Sequence, residues 1–139
     1  MDFTHPTNEV NLEYQNGNKY SIDKEGNLIY RKFENGDQEW YEGAKLIRKK
    51  YANGREKSYC SAGTVTYQQT EQKLEIWYDE GRMETRRRYP NGHEEWYDEF
   101  HRVIRSVSKG LTKEYTYDAD GCRTTVNLKY KQVSPKVLF

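Results

Sequence analysis

Tyr89-Pro90-Asn91-Gly92, followed four residues later by Trp96-Tyr97-Asp98, decides how this chain reads. The pattern returns as Phe33-Glu34-Asn35-Gly36 with Trp40-Tyr41-Glu42, and in part as Tyr51-Ala52-Asn53-Gly54, Trp77-Tyr78-Asp79 and Tyr117-Asp118. The aromatic just before the acidic residue falls at Tyr41, Tyr59, Tyr78, Tyr97 and Tyr117, with gaps of 18, 19, 19 and 20; stepping back 19 from Tyr41 reaches Ile22. The next residues are Asp23, Glu42, Cys60, Asp79, Asp98 and Asp118, acidic in every copy but one. A second column, the aromatic before Asn-Gly, runs Tyr14, Phe33, Tyr51, Tyr89, with a degenerate copy near Gln69-Thr70 and a continuation at Val107-Ser108-Lys109-Gly110. Two independent columns sharing one period identify a tandem repeat.

Each copy divides into halves of nine or ten residues, and each half opens with a turn. Asn-Gly supplies the positive φ that tight hairpin turns require. The second turn is acidic, as in Asp79-Glu80-Gly81 and Asp118-Ala119-Asp120-Gly121, where an Asp at the start can accept a backbone hydrogen bond. Between turns the chain alternates: Leu111, Lys113, Tyr115 and Tyr117 against Thr112, Glu114 and Thr116, and likewise Thr124, Val126, Leu128, Tyr130. Turns this frequent leave no room for an ordinary helix. The expected fold is all-β, an antiparallel meander of ten to twelve short strands in a largely single-layer twisted sheet. It forms one domain over residues 1–139, with the repeats over 14–130 and flanking segments 1–13 and 131–139. Val137-Leu138-Phe139 is apolar enough to dock on the last strand.

Composition agrees with a thin core. Charged residues make up 32% of the chain and mean hydropathy is −1.22, yet aromatics reach 14%. That aromatic content argues against disorder, and the shortage of aliphatic residues argues against a thick layered core. Because Trp and Tyr are adjacent in Trp40-Tyr41, Trp77-Tyr78 and Trp96-Tyr97, aromatics are expected on both faces, with the intervening strand's side chains between equivalent columns. The net charge is +1 with both signs interleaved, so neither a nucleic-acid tail nor a membrane anchor is indicated. Arg86-Arg87-Arg88 is the one basic cluster, and in a strand its members alternate between faces. No apolar stretch is long enough to span a membrane, and the N-terminal residues lack a signal-peptide pattern, so the expected compartment is the cytoplasm.

Catalytic and metal chemistry find little support. Cys60 and Cys122 have no CxxC spacing; about six strands apart, at ~4.8 Å each, they are too distant for a disulfide in a flat sheet. Asp118-x-Asp120-Gly121 lacks the first carboxylate and the closing Glu of an EF-hand and reads as a turn. His5, His93 and His101 form no metal-binding pair, and no nucleophile elbow, P-loop or dinucleotide fingerprint occurs. No cofactor and no enzymatic activity are expected.

At Tyr78-Asp79-Glu80-Gly81-Arg82-Met83, Tyr97-Asp98-Glu99-Phe100-His101-Arg102-Val103 and Tyr117-Asp118-Ala119-Asp120-Gly121-Cys122-Arg123 the chain resembles YD repeats of the Rhs type. The likeness covers most of 14–130. It departs where Phe100-His101 replaces the Gly before Arg102, where Cys122 precedes Arg123, and where Tyr59-Cys60 lacks the Asp. The resemblance implies β-strand repeats; those shells enclose toxins, for which 139 residues are too few. MORN-like repeats of bacterial antitoxin proteins share the Asn-Gly and aromatic spacing, and choline-binding repeats resemble Leu74–Met83. All are fold-level likenesses. The expected function is a non-enzymatic bacterial protein-binding module, of immunity or antitoxin type, with another protein as partner and room for a homodimer through a sheet edge. Trp40, Tyr41, Trp77, Tyr78, Trp96 and Tyr97 are the candidate binding residues. The alternative is a carbohydrate or choline-type cell-wall module; an enzyme ranks third.

Overall fold

The computed structural model describes residues 10–13 and 16–130, and contains thirteen strands and no helix among them. Tyr14 of the second column, and the docking expected of Val137-Leu138-Phe139, lie outside the described residues. The chain falls into two compact units, Met1–Lys73 and Leu74–Phe139. Unit 1 holds β1 (Val10–Glu13), β2 (Lys19–Ile22), β3 (Leu28–Lys32), β4 (Gln38–Glu42), β5 (Lys45–Lys50), β6 (Glu56–Tyr59) and β7 (Val65–Gln69). Unit 2 holds β8 (Glu75–Tyr78), β9 (Glu84–Arg88), β10 (Glu94–Tyr97), β11 (Val103–Ser108), β12 (Leu111–Tyr117) and β13 (Arg123–Tyr130). Within each unit every strand pairs antiparallel with its sequence neighbours, the meander expected from the period. β1 lies ahead of the first clear copy.

The two kinds of turn are one backbone turn. In each, the fourth residue donates its N–H to the first residue's carbonyl, and the first donates to the fifth: Gly36 to Phe33 and Phe33 to Asp37, or Gly121 to Asp118 and Asp118 to Cys122. This is a three-residue hairpin loop whose fourth turn position has positive φ. Gly fills that position at Gly36 (φ 97°) and Gly121 (φ 84°), whereas Lys73, Arg82 and His101 adopt it without being glycine. The fifth residue's N–H donates to a side chain, and the two sequences supply the acceptor differently. Asp79, Asp98 and Asp118 accept it from position one, at Met83, Arg102 and Cys122, each 2.9 Å. In the aromatic turns position one is a ring, so Asn at position three does the same work: Asn35 to Asp37, Asn53 to Arg55, Asn91 to His93, 2.9 to 3.0 Å. The two exceptions are two-residue hairpins at Gly43-Ala44 (φ 58° and 64°) and Lys109-Gly110 (49° and 80°), with both residues left-handed as a type I′ turn demands.

After each acidic turn, or the Gly43-Ala44 hairpin that replaces one, the returning strand carries a bulge. Register skips Ile29, Thr66, Thr85, Ile104 and Thr124 opposite the last two residues of β2, β6, β8, β10 and β12, and Ile47 opposite Trp40 and Tyr41 of β4. All six are β-branched and favour extended backbone. Two of the threonines also reach carbonyls across the bulge: Thr66 Oγ1 donates to Ser58 O and Thr85 Oγ1 to Trp77 O.

Among the described residues packing within each unit runs only between neighbouring strands, in a single layer. The core is correspondingly thin: among the described residues Trp40 and Ile76 are the only buried apolar side chains, and none is fully enclosed.

Candidate functional site

Registers sort side chains onto two faces. On one face of unit 2, Trp77, Arg86, Trp96 and Arg105 lie in a single cross-strand row. Arg86 spans both indoles, 4.4 Å from Trp77 and 5.0 Å from Trp96, and Arg105 lies 4.6 Å from Trp96. Each guanidinium sits on the face of a ring quadrupole, and Trp96 has one on each flanking strand. Unit 1 repeats the row as Tyr30, Trp40 and Arg48, with Tyr30 tilted 5.4 Å from Trp40 and Arg48 4.6 Å over it. Ion pairs border the row: Arg86–Glu94 at 2.8 Å, Arg88–Glu75 at 2.5 Å and Arg48–Glu56 at 3.3 Å.

The other face carries Tyr41, Tyr78 and Tyr97, the tyrosines that follow each tryptophan, and is called the tyrosine face. In unit 2, Glu95 accepts the hydroxyls of Tyr97 (2.9 Å) and Tyr89 (3.0 Å). Burial opposes its ionisation, but the hydrogen bonds from Tyr97, Tyr89 and His93 outweigh this and hold its pKa below 4.5. Burial and the same carboxylate push the Tyr97 phenol up. Glu84 takes Arg87 at 2.6 Å and His101 at 2.5 Å, and despite burial its pKa also falls. Glu84 and Arg87, three apart, would oppose each other in a regular strand; the bulge at Thr85 returns them to one face. His101 stacks on Tyr97 at 4.5 Å and 4°. Unit 1 has the counterpart: buried Glu39 accepts the Tyr41 hydroxyl, and burial followed by this bond pushes the Tyr41 phenol up to about 12.

The six expected residues therefore do not form one surface. Trp40, Trp77 and Trp96 belong to the arginine-laced face, and Tyr41, Tyr78 and Tyr97 to the carboxylate face; Trp40 and Tyr41 are in unit 1 and the other four in unit 2. The sequence reading overlooked their partners: Arg48, Arg86, Arg105, Glu39 and Glu95. One signal was present, since Glu-Trp-Tyr recurs at 39–41 and 95–97. Arg86-Arg87-Arg88 divides between the faces as expected, and each member meets a glutamate. The carboxylates of Asp23, Asp79, Asp98 and Asp118 cap backbone N–H groups of their own turns. Among the described residues no His, Cys, Asp and Glu gather in a metal-binding group. Open hollows lie at turns, one beside Lys45, Tyr59 and the Cys60–Gly63 turn, another beside Phe100, Arg102 and Tyr117. Cys60 and Cys122 are free thiols.

The margin of unit 2 has a different character. β13 pairs with β12, and all eight of its residues are exposed. Val126, Leu128 and Tyr130 project from it on the tyrosine face, 46%, 53% and 72% exposed.

No protein family's sequence profile and no curated protein matches the chain. Solved structures give distant likenesses. A point mutant of the TCP10 domain of Danio rerio CPAP superposes with a TM-score of 0.46 at 16% identity, covering 86% of this chain and 71% of that one. The wild-type domain in complex with a peptide of Danio rerio STIL gives 0.43 at 17%, covering 89% and 60%. A CPAP G-box domain gives 0.46 at 10%, covering 89% and 99%. At such scores, fold and function rest on the chain's own residues.

Proposed function

We propose that this chain is a non-catalytic β-repeat module that binds another protein, of the bacterial immunity or antitoxin kind, through the margin of unit 2. The β13 strand carries the reading: an eight-residue strand with one side unpaired among the described residues and an apolar stripe on one face. An extended partner segment can add to such a strand through backbone hydrogen bonds, with Val126, Leu128 and Tyr130 supplying side-chain contact. A binding role without catalysis is supported by what the recurring carboxylates do, since each turn Asp is engaged by backbone N–H groups. The carbohydrate alternative loses its receptor, because the indole of Trp96 is flanked by Arg86 and Arg105 where a sugar ring would stack. The test is affinity purification from the native cell with wild type and Leu128→Glu in parallel. A partner retained by wild type and lost by the variant supports the reading. Recovery of the same partner by both, or of none, refutes it.

A further inference from the structure

The two signs of charge are interleaved along the sequence, but the fold of unit 1 partly sorts them. Asp23, Glu25, Glu34, Asp37 and Glu71 lie in turns, with Lys24, Arg55 and Lys73, whereas Arg31, Lys32, Arg48, Lys49, Lys50 and Lys57 lie on strands that carry only Glu39, Glu42 and Glu56 of the acids. On the tyrosine face, cross-strand pairing places Arg31, Glu39, Lys49 and Lys57 in one row over β3 to β6. Arg55 joins them at the ring of Tyr51, which it shares with Lys49. The row contains one carboxylate, and it is already engaged: Glu39 is 8% exposed, holds the Tyr41 hydroxyl and lies 3.5 Å from Lys49. Arg31, Arg55 and Lys57 form no ion pair among the described residues, and Arg31 Nε is buried without a hydrogen-bond partner. In unit 2 the arginines of β9 each have a glutamate. This face of unit 1 thus presents cations that lie against rings, as Arg31 and Arg55 do, with a single carboxylate in the row to pair them.

We propose that the tyrosine face of unit 1 binds an acidic, extended segment of a partner protein, at a site independent of the β13 margin. Lys49 and Lys57 are directly opposed on adjacent strands, and Arg31 is two strands from Lys49. At about 4.8 Å per strand, cations are spaced about 5 to 15 Å apart across the sheet. An extended segment with an acid at alternate positions presents a carboxylate about every 6.6 Å on one side, so one laid across the strands reaches Arg31 and the lysine pair together. Arg31 supplies a planar fork for one carboxylate and the lysines supply point charges for others. Tyr41 and Tyr59 border the row and offer ring surface to residues between the acids.

A single-stranded nucleic acid fits this surface less well. Base stacking needs free aromatic faces, and the rings of Tyr20, Phe33 and Tyr51 are covered by Arg31, Lys49 and Arg55, which leaves Tyr41 and Tyr59 alone at the border of the row. The Glu39 carboxylate in mid-row would also repel a continuous run of phosphates, while separate carboxylates can pass to either side of it.

The test is fluorescence anisotropy on the full chain. The probe is a fluorescein-labelled peptide of about twelve residues with Glu at alternate positions and Ser, Thr or Tyr between; the control replaces Glu by Gln. Binding of the Glu peptide should weaken at least about tenfold between about 50 and 300 mM salt. The pair Lys49→Glu and Lys57→Glu should weaken it at least about tenfold, against about twofold or less for Lys32→Glu with Lys50→Glu, which change net charge equally on the tryptophan face. Circular dichroism checks folding; if the Lys49/Lys57 glutamate pair unfolds, the corresponding Gln pair is read instead. Absence of binding, equal binding of the Gln peptide, or equal loss from both variant pairs overturns the proposal. Tighter binding of a labelled oligouridine of matching charge also overturns it, in favour of nucleic acid.

Discussion

If guanidinium stacking holds the tryptophan face of unit 2 together, Arg86 must couple to two indoles at once. Its guanidinium lies 4.4 Å from Trp77 and 5.0 Å from Trp96, and its side chain is 32% exposed, so each contact takes the partly solvated value of about 0.5 to 1 kcal/mol. A single Arg86→Leu cannot isolate that quantity. It also removes the ion pair to Glu94, itself about 0.2 to 1 kcal/mol, and relieves the buried Arg86 Nε that has no partner, an effect of opposite sign and about 1 kcal/mol. Double-mutant cycles cancel both. Combining Arg86→Leu with Trp77→Leu, and separately with Trp96→Leu, should return couplings of about 0.5 to 1 kcal/mol each, the first no smaller than the second. The cycle of Arg105→Leu with Trp77→Leu joins two residues of the row that do not touch and should return less than about 0.3 kcal/mol. Urea unfolding followed by far-UV circular dichroism, which survives loss of tryptophan, resolves these as midpoint shifts of a few tenths molar at an m-value of about 1 to 2 kcal/mol/M. Couplings below about 0.3 kcal/mol for both Arg86 cycles, or an equal value for Arg105 with Trp77, would refute the ladder as a source of stability.

Three further outcomes follow from the turns and the carboxylate face. Arg82 has φ 65° where other copies place Gly, so Arg82→Gly should raise the thermal midpoint and Gly121→Ala, at φ 84°, should lower it, each by about 1 kcal/mol in chemical unfolding. Glu84 and Glu95 have folded pKa values below their ordinary 4.5, so their contribution is complete above that value and is lost as pH falls through the lowered folded values. The urea midpoint should hold from pH 7 to about 5 and then decline, and the double variant Glu84→Gln, Glu95→Gln should start lower at pH 7 and decline less. The Cys60 thiol is drawn below its ordinary pKa by the Thr64 hydroxyl and by the N–H groups of Thr64 and Ala62, so iodoacetamide should label it at lower pH in the wild type than in Thr64→Val, read by peptide mapping.

The repeat was legible because its turns demand scarce chemistry. Asn-Gly and a leading Asp both serve the same fifth-residue N–H, and that shared demand keeps both columns visible through otherwise variable strands. What could not be read was that the two are one backbone turn, because Asn acts from position three and Asp from position one. Aligning Asp79-Glu80-Gly81 by its glycine also misplaces the left-handed residue: Gly81 sits one position early and Arg82 takes the positive φ. The bulge column of Ile29, Ile47, Thr66, Thr85, Ile104 and Thr124 left only a trace, since β-branched residues are ordinary anywhere in a strand.

Faces were harder to read than strands for the same reason. Alternation assigns a side chain to a face only while the count by two is unbroken, and each bulge breaks it once per period. Glu84 and Arg87 are therefore partners, although simple alternation separates them. Charge was obscured in a second way. A sequence with nearly equal acids and bases looks neutral at every scale, but when one sign has a role in turns and the other lies against rings on strands, folding converts interleaving into separation. The strands β8–β13 of unit 2 carry five glutamates against seven lysines and arginines, whereas β2–β7 of unit 1 carry three, Glu39, Glu42 and Glu56, against eight. The surface that most distinguishes this chain follows from register and turn chemistry together, and the recurring Trp-Tyr-Asp marks where those two meet without itself being the site.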